Sequence, residues 1–212
     1  MRLFGLQLLA IGTLVLASPA NAHLRKHDAW QDTLVRLAKL YPEADPNGWT
    51  IERHAFSEEA VAALENNLGF SLYAADKEPA FFLAHDEEGK FLGIALLIDA
   101  RSVPKVVEGK VMTLDVGVGV DARGRIAKLE LLDYAGSPAL SERTFLDQIV
   151  GRNLSCSFKV GKGGMTPATD EPKESQLVAD AAREALIIMR QALGSKSELA
   201  PCPLDPPASR KG

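Results

Sequence analysis

Residues 112–120 alternate without a break. Met112, Leu114, Val116, Val118 and Val120 fall on one side, and Thr113, Asp115, Gly117 and Gly119 on the other. A period of two belongs to a β-strand, whose successive side chains point to opposite faces. One apolar face and one small or polar face predict a half-buried strand of an antiparallel sheet. The stretch Asp121-Ala122-Arg123-Gly124-Arg125 reads as a turn, with glycine where a positive φ is needed. Residues 126–132 follow as the partner strand. Whatever else this chain folds into, it must accommodate an antiparallel hairpin at its centre.

The flanking segments fit around that hairpin. Residues 80–84 and 91–98 predict two more strands, joined by the polar loop 85–90. Residues 49–56 predict a short strand, with Trp49, Ile51 and Arg53 on one face. Trp30, Leu34, Leu37 and Leu40 recur at three- and four-residue steps, which predicts a helix over 27–40 that Pro42 stops. Ser57 is a suitable N-cap for a helix over 58–67, with acidic residues in the first turn and Gly69 just past the end. Residues 141–150 predict a further short helix. The last helix, over 171–193, carries a wide apolar face, has Asp170 as its expected N-cap and Pro172 in its first turn, and ends at Gly194. Helices, then antiparallel strands, then helices describe an α+β class: a single domain with helices packed on a curved antiparallel sheet and a long C-terminal helix.

The first residues read as an export signal. Arg2 precedes an apolar stretch over 3–16, and Ala20-Asn21-Ala22 has the small-x-small form of a cleavage site. The stretch falls short of the ~20 residues a spanning helix needs; an uncleaved anchor is the other reading. The expected division is a signal peptide over 1–22, a domain over 23–194 and a disordered, proline-rich tail over 195–212. The localisation that follows is periplasmic or secreted. A formal charge of −4 without basic clusters argues against a nucleic-acid partner. The two cysteines, Cys156 and Cys202, would meet an oxidising compartment, where a disulfide forms readily; two unpaired thiols are the alternative. With four scattered histidines, no metal motif assembles from local spacing.

Two places could carry chemistry. Glycines in a strand mark a bulge or a surface that something flat approaches closely, and Gly117 and Gly119 share one face. The second place is the loop Gly161-Lys162-Gly163-Gly164-Met165-Thr166-Pro167-Ala168-Thr169, which runs into the last helix. The first N–H groups of a helix lack intrahelical partners and the dipole there favours an anion. Small residues before it would let a phosphate approach. An ordinary capped helix is equally consistent with these residues.

Over about residues 34–193 the chain resembles the FMN-binding domain family, which includes periplasmic flavin subunits of the sodium-pumping NADH:quinone reductase and of the Rnf electron-transport complex. The segments that carry the resemblance are LVRLAKLYP at 34–42, GKFLGIA at 89–95, VGVGVDARGRIAKLELL at 116–132, FLDQIVG at 145–151, VGK at 160–162 and VADAAREAL at 178–186. Their order and spacing carry it, not any single piece.

The resemblance implies an exported electron carrier in a periplasmic or membrane-associated redox chain. In the family, a flavin transferase esterifies FMN onto the threonine of an S-G-A-T motif just before the last helix. Thr166-Pro167-Ala168-Thr169 matches that motif, which makes Thr169 the acceptor, with Ala168 and Thr166 beside it and Lys162 near the phosphate. The glycine face at Gly117 and Gly119 would let the flavin ring lie close. The partners implied are the transferase and a membrane redox complex or another periplasmic carrier. The chain departs from the pattern at Pro167, where the family has glycine, and at Gly163, where it usually has aspartate. Asp170-Glu171-Pro172 is an added acidic stretch. These departures imply the alternative of a member that keeps the fold without flavin, as a binding or assembly module for a membrane redox complex.

Overall fold

The computed structural model describes residues 22–24, 30–100, 106–107, 110–111, 114–134, 136–170, 172–193 and 201–204. All of the expected signal peptide but Ala22, together with Met112, Thr113, Glu171, Gly194 and most of the tail expected to be disordered, lies outside these residues.

The elements in chain order are β1 (Ala22–Leu24), α1 (Trp30–Leu40), β2 (Trp49–Arg53), α2 (Glu58–Leu68), β3 (Ala80–His85), β4 (Phe91–Ala100), β5 (Val106–Val107), β6 (Lys110–Val111), β7 (Leu114–Val120), β8 (Ile126–Tyr134), α3 (Arg143–Leu146) and α4 (Pro172–Ala192). The architecture is α+β: an antiparallel sheet in the order β2-β3-β4-β7-β8, with β1 paired to the far end of β4. β5 and β6 form a small separate hairpin.

Local chemistry sets the element ends. Ser57 accepts a hydrogen bond from the Ala60 N–H, and Gly69 closes α2 in the left-handed conformation. Between β7 and β8, the Asp121 carboxylate accepts from the N–H groups of Arg123 and Arg125 and pairs with the Arg125 guanidinium at 2.7 Å. Asp170 is not placed as the residue flanking the last helix: α4 begins at Pro172, whose missing N–H costs nothing in a first turn. The helix expected over 141–150 shrinks to α3, preceded by a 3₁₀ turn (Pro138–Ser141) and followed by further turns.

Burial gives the largest correction. β7 is buried along its whole length, not on one face only. Its even-numbered residues join Leu96 and Ile98 of β4 beneath α4, where Val178, Ala181, Ala182, Ala185, Leu186 and Met189 pack with Leu64 of α2, Phe145 and Ile149. The alanines let α4 lie close to the sheet. Each fully buried Val or Leu contributes about 1.5–3 kcal/mol. The opposite face carries a smaller core of Leu37, Leu40 and Tyr41 from the α1 end, with Phe82, Ala84, Ala95, Leu97 and Leu132. α1 therefore covers what the alternation marks as a solvent face. Asp115 tolerates burial there because Arg36 of α1 meets it at 3.0 Å.

Candidate functional site: the loop before the long helix

Residues 159–165 fold back on themselves. The N–H of Gly161 donates to the Met165 C=O, that of Gly164 to Gly161, and that of Met165 to Lys159, at 2.8–2.9 Å. Met165 is buried and anchors the turn in the α4-face core. Gly164 is required by contact, since a Cβ there would lie 2.1 Å from the Lys159 carbonyl oxygen. Gly163 has φ of +76°, which a side chain such as aspartate adopts only under strain.

Two side-chain amides bolt this loop to its surroundings. Gln176, in the second turn of α4, accepts from the Val160 N–H at 2.9 Å and donates to the Phe158 C=O at 3.0 Å. Its Nε2 also donates to Asp180 at 2.8 Å. Gln148, just after α3, does the same for Thr166: its Oε1 accepts from the N–H at 2.8 Å and its Nε2 donates to the C=O at 3.1 Å. Each glutamine supplies one donor and one acceptor to the same stretch of backbone, as a neighbouring strand would. The Ala168 N–H donates to Ser175 Oγ of α4 at 3.0 Å, and Ser175 is fully buried. Arg152 completes the frame by donating to the carbonyls of Gln148 and Ser157.

The start of α4 carries charges of both signs, with Lys173 exposed in its first turn. Glu174 lies in the first turn, where the helix dipole favours it, and accepts from the Tyr134 hydroxyl at 2.8 Å. Burial, then the hydrogen bond and charge of Glu174, pushes the Tyr134 hydroxyl up to about 12. Asp170 is exposed two residues before the helix, and Lys162 is exposed on the turn.

The structure brings Thr166, Ala168 and Thr169 together at the α4 end of the loop, with Thr169 half-buried. It does not bring the glycines to them. Gly117 and Gly119 lie on the opposite, α1 face of the sheet, where described side chains already stand over them. A Cβ on Gly119 would stand 2.6 Å from the Tyr41 hydroxyl oxygen, and one on Gly117 would stand 3.0 Å from Leu132. The flat group that approaches Gly119 is the ring of Tyr41. An FMN ring therefore does not fit against these two glycines. A phosphoester at Thr169 would demand less, only a threonine near the surface, and Thr169 is half-buried.

Cys156 and Cys202 are joined as a disulfide, which holds residues 201–204 to the body. Among the described residues no group of three or more His, Cys, Asp or Glu side chains is placed to hold a metal ion, and no helix is long and apolar enough to cross a membrane.

Sequence reasoning missed Gln148, Gln176, Ser175 and Tyr41. The glutamines carry no local signature, because their partners lie 16–18 residues away in the chain. Tyr41 is readable only as the end of a helix before Pro42. Compared with known protein families, with curated proteins and with solved structures, the chain matches nothing.

Proposed function

We propose that this protein is an exported FMN-binding electron carrier, with the flavin phosphate esterified to the Thr169 hydroxyl. What supports the reading is the order and spacing of the segments over residues 34–193 that resemble the FMN-binding domain family, together with a loop held rigidly before α4 that ends on Thr169. When bound, FMN supplies the electron-transfer chemistry, and the chain supplies attachment and orientation. Thr166 and Ala168 shape the approach to Thr169, and Lys162, exposed on the turn, would offset phosphate charge. A tether suits the periplasm, where a diffusible cofactor would be lost. The electron partner is a membrane redox complex or another periplasmic carrier.

A second reading has observations of its own. The N–H groups of Thr166 and Ala168 already donate to Gln148 and Ser175, Pro167 has none, and Asp170 and Glu174 bring negative charge to the place proposed for phosphate. These features suit a flavin-less member acting as a binding or assembly module.

Co-expression of the full chain with a flavin transferase separates the two. The carrier reading expects a yellow protein whose colour survives denaturation, whose mass rises by one FMN less one water, and whose colour is lost in Thr169→Ala. A colourless protein of unmodified mass, from a host that flavinylates a control, overturns it in favour of the assembly module.

A further inference from the structure

The two edges of the sheet are finished differently. The outer edge of β8 is met at its start by the chain itself: the Ile126 N–H donates to the Arg152 C=O, and the Gly151 N–H donates to the Ile126 C=O. Among the described residues, nothing pairs with the outer edge of β2. β2 carries two exposed charges, Glu52 and Arg53, but has neither proline nor lysine nor a bulge against β3.

The phase of that free edge follows from the inner one. His54 donates its N–H to the Pro79 C=O, and the Gly48 C=O accepts from the His85 N–H. Even-numbered residues thus direct their backbone groups toward β3. By the alternation of an antiparallel ladder, Trp49, Ile51 and Arg53 direct theirs outward. Their side chains lie on the α1 face, where Ile51 is opposite Phe82 and Trp30 stacks on Phe82 with centroids 6.4 Å apart. Ile51 is 40% exposed and Trp30 41%.

We infer that β2 pairs antiparallel with β2 of a second copy of this chain, about a two-fold axis through Ile51, joining two sheets into one. The strand is complementary to itself in that register. Ile51 meets Ile51 of the other copy as a hydrogen-bonded pair, and Trp49 meets Arg53 twice, also as hydrogen-bonded pairs. Thr50 meets Glu52 on the other face. No like charges stand opposite one another, and each Arg53 faces an indole, a favourable cation–π partner. An isologous contact of this kind closes at two copies and leaves no further edge of the same type. The occupant is argued from this complementarity: a register displaced by two residues, with Trp49 opposite Ile51, leaves Arg53 beyond the end of the partner strand.

Sedimentation of the signal-free chain, with its Cys156–Cys202 bridge intact, tests the inference. The expected result is a monomer–dimer equilibrium whose dimer dominates by about 100 μM. Ile51→Lys sets two ammonium groups face to face and is expected to weaken association at least tenfold, with the unfolding midpoint unchanged at concentrations low enough that both chains are monomeric, because the site is exposed. Independently of that variant, Ile51→Cys places two thiols on the axis at about 5.5 Å between Cα atoms, within the range a disulfide spans. It is expected to form a covalent dimer on mild oxidation, whereas Val35→Cys, at a 62% exposed position on α1, is not. A chain that stays monomeric at about 100 μM overturns the inference. So does a dimer that survives Ile51→Lys, or an Ile51→Cys chain that cross-links no faster than Val35→Cys.

Discussion

The two faces of the sheet solve the same problem by different means. Under α4, burial is broad and repetitive: alternate aliphatic residues of β4 and β7 meet an alanine-rich helix, and a disulfide closes the margin. Under α1, a few unlike groups share the task. The buried ion pair Arg36–Asp115 and the ring of Tyr41, fitted over Gly93 and Gly119 with Lys128 and its partner Glu43 beside it, hold a short helix. A broad apolar face distributes its stabilisation over many contacts and degrades gradually. A small face built on specific pairs depends on each of them. α1 is therefore expected to open before α4 in native-state hydrogen exchange.

The comparison can be broken most directly at Arg36. Arg36→Met leaves a buried carboxylate without that guanidinium, and is expected to cost about 3–5 kcal/mol in denaturant unfolding. A cost below ~1 kcal/mol, the range of an exposed pair, would remove the specific-pair account of this face. On the α4 side, replacing both Cys156 and Cys202 by serine is expected to cost about 2–4 kcal/mol, mainly through the freed unfolded chain. Thermal unfolding with and without reductant gives the same comparison.

Gly119→Ala sharpens the contrast. Its new methyl would meet Tyr41 ring carbons at 2.9 Å, and overpacking of this kind is expected to cost about 1–3 kcal/mol. Tyr41→Phe should do the opposite. The Tyr41 hydroxyl is buried without a hydrogen-bond partner among the described residues. Burial, followed by the charges of Glu43 and Asp121, also holds its pKa well above the tyrosine range. Removing the oxygen is expected to leave stability unchanged or to raise it by up to about 1 kcal/mol. A loss of 2 kcal/mol or more would mean that the oxygen is satisfied in solution.

A further expected effect depends on pH. Burial, then the charge of Asp180, raises the Glu184 carboxyl from 4.5 to about 8, while Arg183 opposes the shift. The folded chain thus holds this proton more tightly than the unfolded chain does. The stabilisation is complete below pH 4.5, declines as pH rises, and is lost above about 8. Glu184→Gln is expected to flatten the fall in unfolding free energy across that window. An unchanged slope would show that Glu184 ionises in the ordinary carboxylate range.

The loop before α4 was legible as a phosphate-friendly junction and, through resemblance, as a place for Thr169. Its frame was not. Gln148, Gln176 and Ser175 act on backbone groups far away in sequence, so nothing in their neighbourhoods marks them. The glycines were legible as a close approach, but not for what approaches. Only the packing of α1 placed Tyr41 there and moved Gly117 and Gly119 to the face opposite the loop.

By itself the sequence determined the elements and their order. Periodicity located β3, β4, β7, β8, α1, α2 and α4, and the glycine turns and the Ser57 cap located several of their ends, because these signals act within a few residues. Tertiary structure decided which faces are buried. A strand reading apolar on one side and Asp-Gly-Gly on the other looks half-buried until a helix brings Arg36 to the aspartate and Tyr41 to a glycine. Burial of a polar face depends on partners supplied from elsewhere in the chain, and no local pattern encodes where they come to rest.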